Sequence, residues 1–284
     1  MATLHAGSAT ASVMIVDPVA PARTAAIVAL ANQKGGVGKT TTAVSTAVLL
    51  AQAGYRVLMV DADPQGNATS SLGLDKQALL YTLYDVLLDG VGIARAIAVT
   101  DRPRLDLVPA TPGLAGAEVE LVTVPEREHR LARALDEVAD RYDVVLIDCP
   151  PSLGLLTVNA LTAARHVVIP IQCEFLALEG VGQLVTSIDL VKRRLNPSLD
   201  VLGVLMTMFD ARTRLSTQVV EEVRRFFPER IFATIVPRSI RLAEAPSFGQ
   251  SIAEYDANSR GGLAYRAFAE ELVGRLKLTE ADSG

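Results

Sequence analysis

The sequence predicts an α/β fold, with a mostly parallel, twisted sheet that carries helices on both of its faces. Several short apolar runs lack polar alternation, which is typical of parallel strands buried on both faces. Helical patterns lie between most of these runs, and strand and helix alternate along the whole chain. The runs are Ala25–Ala31, Val57–Asp61, Leu105–Pro109, Val144–Asp148, His166–Ile171, Val201–Met208 and Ile231–Val236.

The predicted helices rest on apolar residues at helical spacing and on the residues that end them. Gly54 follows the first helix, and Asn196 and Pro197 stop the third. No internal repeat and no linker follows residue 24, so we expect residues 25–278 to form one domain, between a flexible tail at 1–24 and a short acidic tail at 279–284. The helices are Thr40–Ala53, Glu126–Tyr142, Leu178–Leu195, Leu215–Phe227 and Gly262–Leu276.

Composition restricts the class of partner. The net charge of −5 argues against a general nucleic-acid binder, but residues 192–241 hold ten basic and five acidic side chains. We interpret that stretch as a local basic patch, and such patches bind polyanions. Two cysteines in 284 residues indicate a reducing compartment without a disulfide framework, and no apolar run approaches a membrane span. The three histidines show no catalytic or metal spacing. A cytoplasmic protein is expected.

The strongest motif lies between the first strand and the first helix, where a phosphate-binding loop belongs. Its glycines allow a tight turn that presents backbone N–H groups to phosphate oxygens, and the helix start adds positive field. We expect Lys39 to reach the terminal phosphates and the Thr40 hydroxyl to ligate Mg²⁺. The alternative is a glycine-rich turn with a chance Lys-Thr pair. The predicted nucleotide-binding residues are Lys34, Gly35, Gly36, Val37, Gly38, Lys39, Thr40 and Thr41.

Acidic residues end two of the predicted strands, at the edge of the sheet where parallel strands face a ligand crevice. Asp148 is expected to hold Mg²⁺, directly or through water, or else to cap the strand end. Asp61 and Asp63 point the same way if their strand continues. We interpret Asp61 as a helix cap or hydrogen-bond acceptor, and Cys149 as a packed thiol.

The phosphate-binding loop departs from the plain pattern, because Gln33 replaces the first glycine and Lys34 follows it. KGGVGKTTT (34–42) resembles the deviant Walker A box of the ParA/MinD family of P-loop ATPases. This resemblance implies that Lys34 crosses a dimer interface and contacts the partner's phosphates, as an arginine finger does. Without the rest of the motif, the alternative that Lys34 is a solvated loop residue would be as good as the cross-dimer role. DPQGNAT (63–69) resembles the family's switch I, which implies that Asp63 positions the attacking water. Lys34, Lys39 and Asp63 are therefore the candidate catalytic residues.

Other segments resemble the chromosomal ParA (Soj) branch: IDCPPSLG (147–154), MFDART (208–213), VPRSIRLAEAPS (236–247) and YDANSRG (255–261). This resemblance implies a weak ATPase that uses ATP and Mg²⁺ and forms a homodimer in the ATP state. It implies binding of non-specific double-stranded DNA through Arg212 and Arg241, which could instead be structural. It also implies adenine contacts at Met208 and Pro237, a ParB-like centromere-binding partner and association with the nucleoid.

Other branches and classes predict different features. A MinD-like membrane-cycling ATPase would need a basic amphipathic helix at the C-terminus, whereas residues 276–284 are short and acidic. An electron carrier like the nitrogenase iron protein would need two cysteines placed to share a cluster across a dimer. A ligase of the dethiobiotin synthetase type does not account for MFDART or RLAEAPS. A non-enzymatic scaffold differs from all of these in releasing no phosphate.

Overall fold

The computed structural model describes residues 25–279, except Leu176 and Glu179. The expected tail at 1–24, and the expected acidic tail beyond Thr279, lie outside the described residues. Eight strands form a single sheet in the order β3-β4-β2-β5-β1-β6-β7-β8, and all neighbours are parallel except β3 and β4. The strands are β1 Ala26–Leu30, β2 Val57–Asp61, β3 Ala98–Val99, β4 Leu105–Val108, β5 Val144–Asp148, β6 His166–Gln172, β7 Asp200–Phe209 and β8 Ile231–Pro237.

The apolar runs identified in the sequence are these strands, to within two residues at either end. β2 and β5 are buried along their whole length, which explains their continuous apolar sequence. β3 is the exception that the sequence analysis missed. Its two residues form an antiparallel edge beside β4, and a segment so short carries no periodic pattern.

Helices cover both faces of the sheet, as predicted. Val28 and Leu30 of β1 belong to the apolar core that contains the side chains of α1 and α12, whereas Ala29 belongs to the core beneath α6–α9. The helices are α1 Lys39–Gln52, α2 Asn67–Ser71, α3 Leu83–Leu87, α4 Ile93–Ala96, α5 Ala117–Glu120, α6 Arg130–Asp136, α7 Leu155–Ala163, α8 Val181–Arg194, α9 Arg214–Phe226, α10 Ile240–Glu244, α11 Ile252–Tyr255 and α12 Arg260–Leu276.

The prediction of one continuous helix over Glu126–Tyr142 is wrong. A 3₁₀ turn at Arg127–His129 precedes the seven-residue α6, and a second 3₁₀ turn at Ala139–Arg141 follows it. The side chain of Asn159 on α7 causes part of this break. Its Oδ1 accepts from Leu131 N at 3.1 Å and its Nδ2 donates to the Arg127 carbonyl at 2.8 Å. A tertiary contact therefore satisfies backbone groups that a longer helix would pair internally.

The sheet places three chain segments at the carboxyl ends of neighbouring strands. Leu30, which ends β1, is in register with Asp148 of β5, and Asp148 is in register with Asp61 of β2. The loop after β1 and the two aspartates therefore meet at the same edge of the sheet, where a parallel fold binds ligands. Among the helices of the described residues, none has the length and apolar composition to cross a membrane.

Candidate functional site

The loop between β1 and α1 has the conformation that its glycines allow. Gly36 and Gly38 have φ angles of 73° and 90°, in the left-handed region that favours glycine. Two buried polar side chains, one in the loop and one on β7, fix the loop to the neighbouring strands. Asn32 Nδ2 donates to the Pro170 carbonyl at 2.7 Å, while Thr207 Oγ1 donates to the Val37 carbonyl at 2.8 Å. A backbone held in this way is a preformed cradle for an anion.

Lys39 begins α1 and is almost completely buried, with 6 % of its surface exposed. Its Nζ donates to the carbonyl of Lys34 at 3.2 Å, so the ammonium lies inside the loop. Burial lowers the pKa of Lys39, and the nearby carboxylates, Asp148 first and then Asp63, oppose that change. A cation buried within a ring of backbone amides provides strong attraction for phosphate.

Asp148, at the end of β5, is fully buried, and neither carboxylate oxygen has a hydrogen-bond partner among the described residues. Burial and then the neighbouring Asp61 raise the pKa of Asp148. The Thr40 hydroxyl and Lys39 oppose this rise, although Thr40 lies outside the geometry of a full hydrogen bond. Unpaired buried carboxylate oxygens beside a hydroxyl fit a hard cation such as Mg²⁺.

A cation here would take most of its ligands from elsewhere. Within the described part of the chain, no three His, Cys, Asp or Glu side chains are grouped to hold a metal ion. Mg²⁺ characteristically uses one or two protein ligands together with phosphate oxygens and water. The donor set around Thr40 and Asp148 therefore fits a magnesium–nucleotide complex better than a free metal ion.

Asp61 and Asp63 come together, but not along a strand. β2 ends at Asp61, and Asp63 lies in the turn that leads to α2. Asp63 Oδ1 accepts from Gln65 N at 2.9 Å, and Asp63 itself is 7 % exposed. Asp61 is the hydrogen-bond acceptor that the sequence suggested, because its Oδ2 accepts from the amide and the hydroxyl of Thr69 at 2.8 and 2.7 Å. Burial raises the pKa of Asp61 to about 6.

Lys34 is half-exposed at the mouth of the loop and forms an ion pair with Glu174, which follows β6. The loop backbone is nevertheless fixed there, since the Lys34 amide donates to Asn32 Oδ1 at 3.0 Å. Lys34 is therefore a side chain that can move on a rigid loop. The sequence analysis had not singled out Glu174, and a contact across 140 residues leaves no local sequence signal.

A cavity of about 230 Å³ opens beside Gly38 and Thr41, and Met208 and Pro237 both line it. Pro237 ends β8, and Met208 is the next-to-last residue of the neighbouring β7, with a φ of 54°. Tyr265 of α12 forms the floor, and its hydroxyl lies 3.0 Å from Thr42 Oγ1. A partly apolar cavity next to a phosphate cradle has the position of a base pocket. The remaining lining residues, which sequence reasoning missed, are Thr207, Val236, Arg238, Ser239, Leu242, Ala243 and Tyr265.

Arg212 and Arg241 also follow strands that end at this edge. Phe209 of β7 is in register with Pro237 of β8, and the two arginines come three and four residues later. Both are exposed and both are paired with carboxylates. Asp210 accepts from Arg212 Nε at 2.9 Å and Nη2 at 2.7 Å. Arg241 pairs with Glu244 at 3.1 Å and Asp256 at 3.6 Å.

The interpretation of residues 192–241 as a single basic patch is wrong. Strands β7 and β8 run through this stretch and carry the chain from one edge of the sheet to the other. Lys192 and Arg230 both pair with Asp200, the first residue of β7, at 3.0 and 3.1 Å. They therefore lie at the edge opposite to Arg212 and Arg241, and a residue count along the sequence merged two separate surfaces.

A parallel sheet with a glycine-rich loop, a buried loop lysine and an unpaired buried aspartate defines a nucleotide-binding protein of the P-loop class. The comparisons narrow this class. Residues 25–201 match the AAA domain family. The chain is 53 % identical over 247 residues to the sporulation initiation inhibitor protein Soj of Bacillus subtilis, covering 87 % of this chain and 98 % of that protein. It is also 53 % identical to the chromosome partitioning protein ParA of Myxococcus xanthus, with 88 % of each chain covered.

A solved structure gives the same fold. A crystal structure of cobyrinic acid a,c-diamide synthase from Mycobacterium smegmatis, with bound ADP and magnesium, has a TM-score of 0.79. It is 43 % identical to this chain and covers 89 % of it, and 96 % of its own length is matched. The chain belongs to the ParA/Soj family of chromosome-partitioning P-loop ATPases.

Proposed function

We propose that this chain is a DNA-segregation ATPase, whose ATP-bound sandwich dimer holds non-specific double-stranded DNA and releases it on hydrolysis. The observation that carries the proposal is the shared edge of the sheet. Lys39, Asp63 and Asp148 meet there, and the strands that lead to Arg212 and Arg241 end there. Residues 25–278 act as one unit in this proposal.

The residues of the loop would hold ATP and ADP with Mg²⁺. The backbone of Gly35–Thr41 binds phosphate oxygens, Lys39 neutralises their charge, and Met208 and Pro237 bound the adenine. Thr40 and Asp148 hold the magnesium ion, directly or through water. Bound Mg²⁺ draws electron density from the terminal phosphate oxygens and so favours attack on phosphorus. The ADP and magnesium bound in the Mycobacterium structure support ATP or ADP with Mg²⁺ as the cofactors.

Asp63 and Lys34 have the two remaining catalytic roles, which are to orient the attacking water and to neutralise developing charge. Asp63 lies in a turn whose conformation its own carboxylate fixes through Gln65 N, so it orients a water with little freedom to move. Lys34 leaves Glu174 and reaches the nucleotide of the second protomer, where it neutralises charge that develops during phosphoryl transfer. Hydrolysis in the isolated protein is slow, because the dimer is useful only while it persists.

The DNA surface is formed by Arg212 and Arg241 of both protomers. One protomer offers few cations and carries a net charge of −5, so the single chain is a poor DNA binder. A dimer doubles the arginines and spreads them over a longer run of phosphates. Contacts with phosphate alone make the binding independent of sequence. A ParB-like centromere-binding protein would accelerate hydrolysis on DNA, which locates the protein on the nucleoid in the cytoplasm.

The name of the Mycobacterium structure suggests ATP-dependent amide synthesis as a second candidate function. Glutamine-dependent amide synthesis by a cysteine nucleophile would need a reactive thiolate. Cys149 and Cys173 are the two cysteines of the chain, and both are buried. Burial raises the pKa of both thiols, that of Cys173 to about 12, which disfavours this chemistry. The partitioning relatives are also more similar in sequence, at 53 % against 43 % identity.

Phosphate release from ATP and Mg²⁺ tests this proposal, measured with and without a plasmid duplex and with the host's ParB-like protein. We expect slow release that rises when DNA and the partner are both present. If no phosphate is released under any condition, the protein is a non-enzymatic scaffold. Release that is unaffected by DNA and partner together would contradict the segregation role.

A further inference from the structure

We propose that Arg102 is a positioning residue that ties the switch I segment, taken here with the helix that follows it as residues 63–72, to the segment that carries Arg241. The inference rests on the proposed function, because it concerns how the nucleotide controls the DNA surface. Arg102 lies in the loop between β3 and β4, and 11 % of its side chain is exposed. Nothing in the proposed nucleotide chemistry uses this residue.

The guanidinium of Arg102 joins parts of the chain that are far apart in sequence. Nη1 donates to the Leu72 carbonyl at 2.8 Å, at the end of α2. Nη2 donates to the Gly249 carbonyl at 2.8 Å, 147 residues away. Nε donates to Glu254 on α11 at 2.7 Å. A planar fork with donors in three directions suits this task, and a lysine ammonium at the end of a flexible stem cannot reproduce it.

The first of these contacts leads directly to the proposed catalytic turn. Asp63 begins switch I, and its carbonyl accepts from Gly66 N at 2.8 Å, one residue before α2. The α2 residue Thr69 is bound to Asp61 through both its amide and its hydroxyl. The turn that begins at Asp63 therefore leads directly into α2, and Leu72, immediately after α2, carries the carbonyl that Arg102 holds.

The other contacts lead to Arg241. A 3₁₀ turn at Ala245–Phe248 joins α10, which carries Arg241, to Gly249. Gly249 packs on the turn after α2 so closely that an added Cβ would meet Gly73 Cα at 3.1 Å. Glu254 gives one oxygen to Arg102 and the other to Ser251, which caps α11. The ring of Tyr255 on α11 lies 5.9 Å from the Arg241 guanidinium carbon.

A connection of this kind would let one protomer distinguish ATP from ADP, although the two nucleotides share a base. The cavity beside Gly38 borders α10 through Leu242 and Ala243, but a base in that cavity makes the same contacts in both nucleotides. The difference between ATP and ADP is one phosphoryl group, which the proposed site places near Asp63. Switch I is therefore the segment placed to report the nucleotide state to Arg241 within a protomer, and Arg102 fixes the two segments together.

Arg102→Ala and Arg102→Lys test this in the full chain with Asp63 left in place, the ATP state being held by a non-hydrolysable ATP analogue with Mg²⁺. Arg133→Ala is the control, since Arg133 is an exposed arginine of α6 paired with Glu126. Calorimetry and light scattering check ATP binding and dimerisation. DNA affinity is measured with ATP and with ADP, and hydrogen exchange is followed over residues 239–251.

We expect Arg102→Ala to bind ATP and dimerise as the parent does, while its DNA affinity with ATP falls about tenfold toward the ADP level. Exchange over residues 239–251 should differ between ATP and ADP in the parent and in Arg133→Ala, but not in Arg102→Ala. Arg102→Lys should recover part of the difference between ATP and ADP in DNA affinity and in exchange. If Arg102→Ala does not fold, the same measurements on Arg102→Lys provide the test. If Arg102→Ala dimerises and keeps the parent's full ratio of DNA affinities with ATP and with ADP, the inference is overturned. Dimerisation alone would then control DNA binding. If the parent binds DNA equally well with ATP and with ADP, the proposed function itself is refuted.

Discussion

The Lys34 ammonium and the Glu174 carboxylate form an ion pair within a single chain. Both side chains are about one-third to two-fifths exposed, and pairs of this kind contribute about 0–1 kcal/mol to stability. Opening the pair is therefore a small obstacle to the proposed movement of Lys34 toward a second protomer. The contact suggests two variants that separate the lysine from its resting partner.

Lys34→Ala should bind nucleotide as a monomer but fail in stable dimerisation or in catalysis, because the charge across the interface is lost. Glu174→Gln should keep dimerisation and change the free energy of unfolding by less than about 1 kcal/mol. Size-exclusion chromatography with light scattering, with ATP and without nucleotide, measures both. A Lys34→Ala protein that dimerises and turns over like the wild type defeats the cross-dimer role.

Lys39→Ala should weaken ATP binding by about a hundredfold, since the phosphates lose a buried cation. Isothermal titration calorimetry with ATP and Mg²⁺ measures this directly. Arg95→Ala is a suitable control because Arg95 is an exposed cation whose guanidinium bonds Tyr81 at 2.6 Å, away from the loop. Normal ATP affinity in Lys39→Ala would remove the phosphate-binding assignment.

Asp63→Ala should bind ATP normally but hydrolyse it at least about a hundredfold more slowly, because the attacking water loses its orienting carboxylate. The ATP dimer should consequently persist. Single-turnover phosphate release and light scattering follow the two effects. If hydrolysis continues at the wild-type rate, another group orients the water, and Asp61 is then the nearest carboxylate along the chain.

Thr207→Val should lower the free energy of unfolding by about 1–3 kcal/mol and weaken ATP binding, because the Val37 carbonyl loses its buried donor. Thr186→Val is the matched control, since the Thr186 hydroxyl is exposed and bonds the Gly182 carbonyl of its own helix. Urea unfolding gives the stability and calorimetry gives the affinity. If the two variants lose equal amounts of stability and of ATP affinity, the Thr207 hydroxyl does not specifically stabilise the loop.

Much of the site was predictable because its parts are local. A strand, a glycine-rich loop and a helix follow one another from Ala26 to Gln52, and each has its own pattern of residues. The acids that end β2 and β5 are likewise found by reading a buried strand to its last residue. Parallel pairing then brings these ends together without further information.

The remaining parts depend on contacts between distant residues. Neither the Lys34–Glu174 pair nor the floor of the cavity at Tyr265 has a signal at helical or strand spacing. The break in the helix predicted over 126–142 depends on Asn159 of another helix. Basic residues between 192 and 241 separate because two strands carry them to opposite edges of the sheet. All of these features depend on tertiary packing, which residue patterns along the sequence do not specify.

In the proposed function, DNA binding depends on the exposed arginines Arg212 and Arg241. Arg241→Ala should weaken DNA binding while leaving ATP binding and dimerisation intact, and Arg212→Ala should do the same. Each arginine lost from both protomers should lower the magnitude of the log–log salt slope by roughly two. Arg193→Ala is the control, because it removes an exposed cation of α8, whose C-terminal end lies at the opposite edge of the sheet. Unchanged binding in both arginine variants would place the DNA surface elsewhere, with Lys192, Arg193 and Arg194 as the next candidates.

The central claim is that ATP switches on non-specific DNA binding, and one measurement tests it most directly. The Asp63→Ala protein is titrated onto unrelated duplexes in a mobility-shift assay across a salt series, with ATP, with ADP and without nucleotide. We predict tight binding with ATP alone, nearly independent of sequence and falling steeply as salt rises. Equal binding with ADP and ATP would contradict the account.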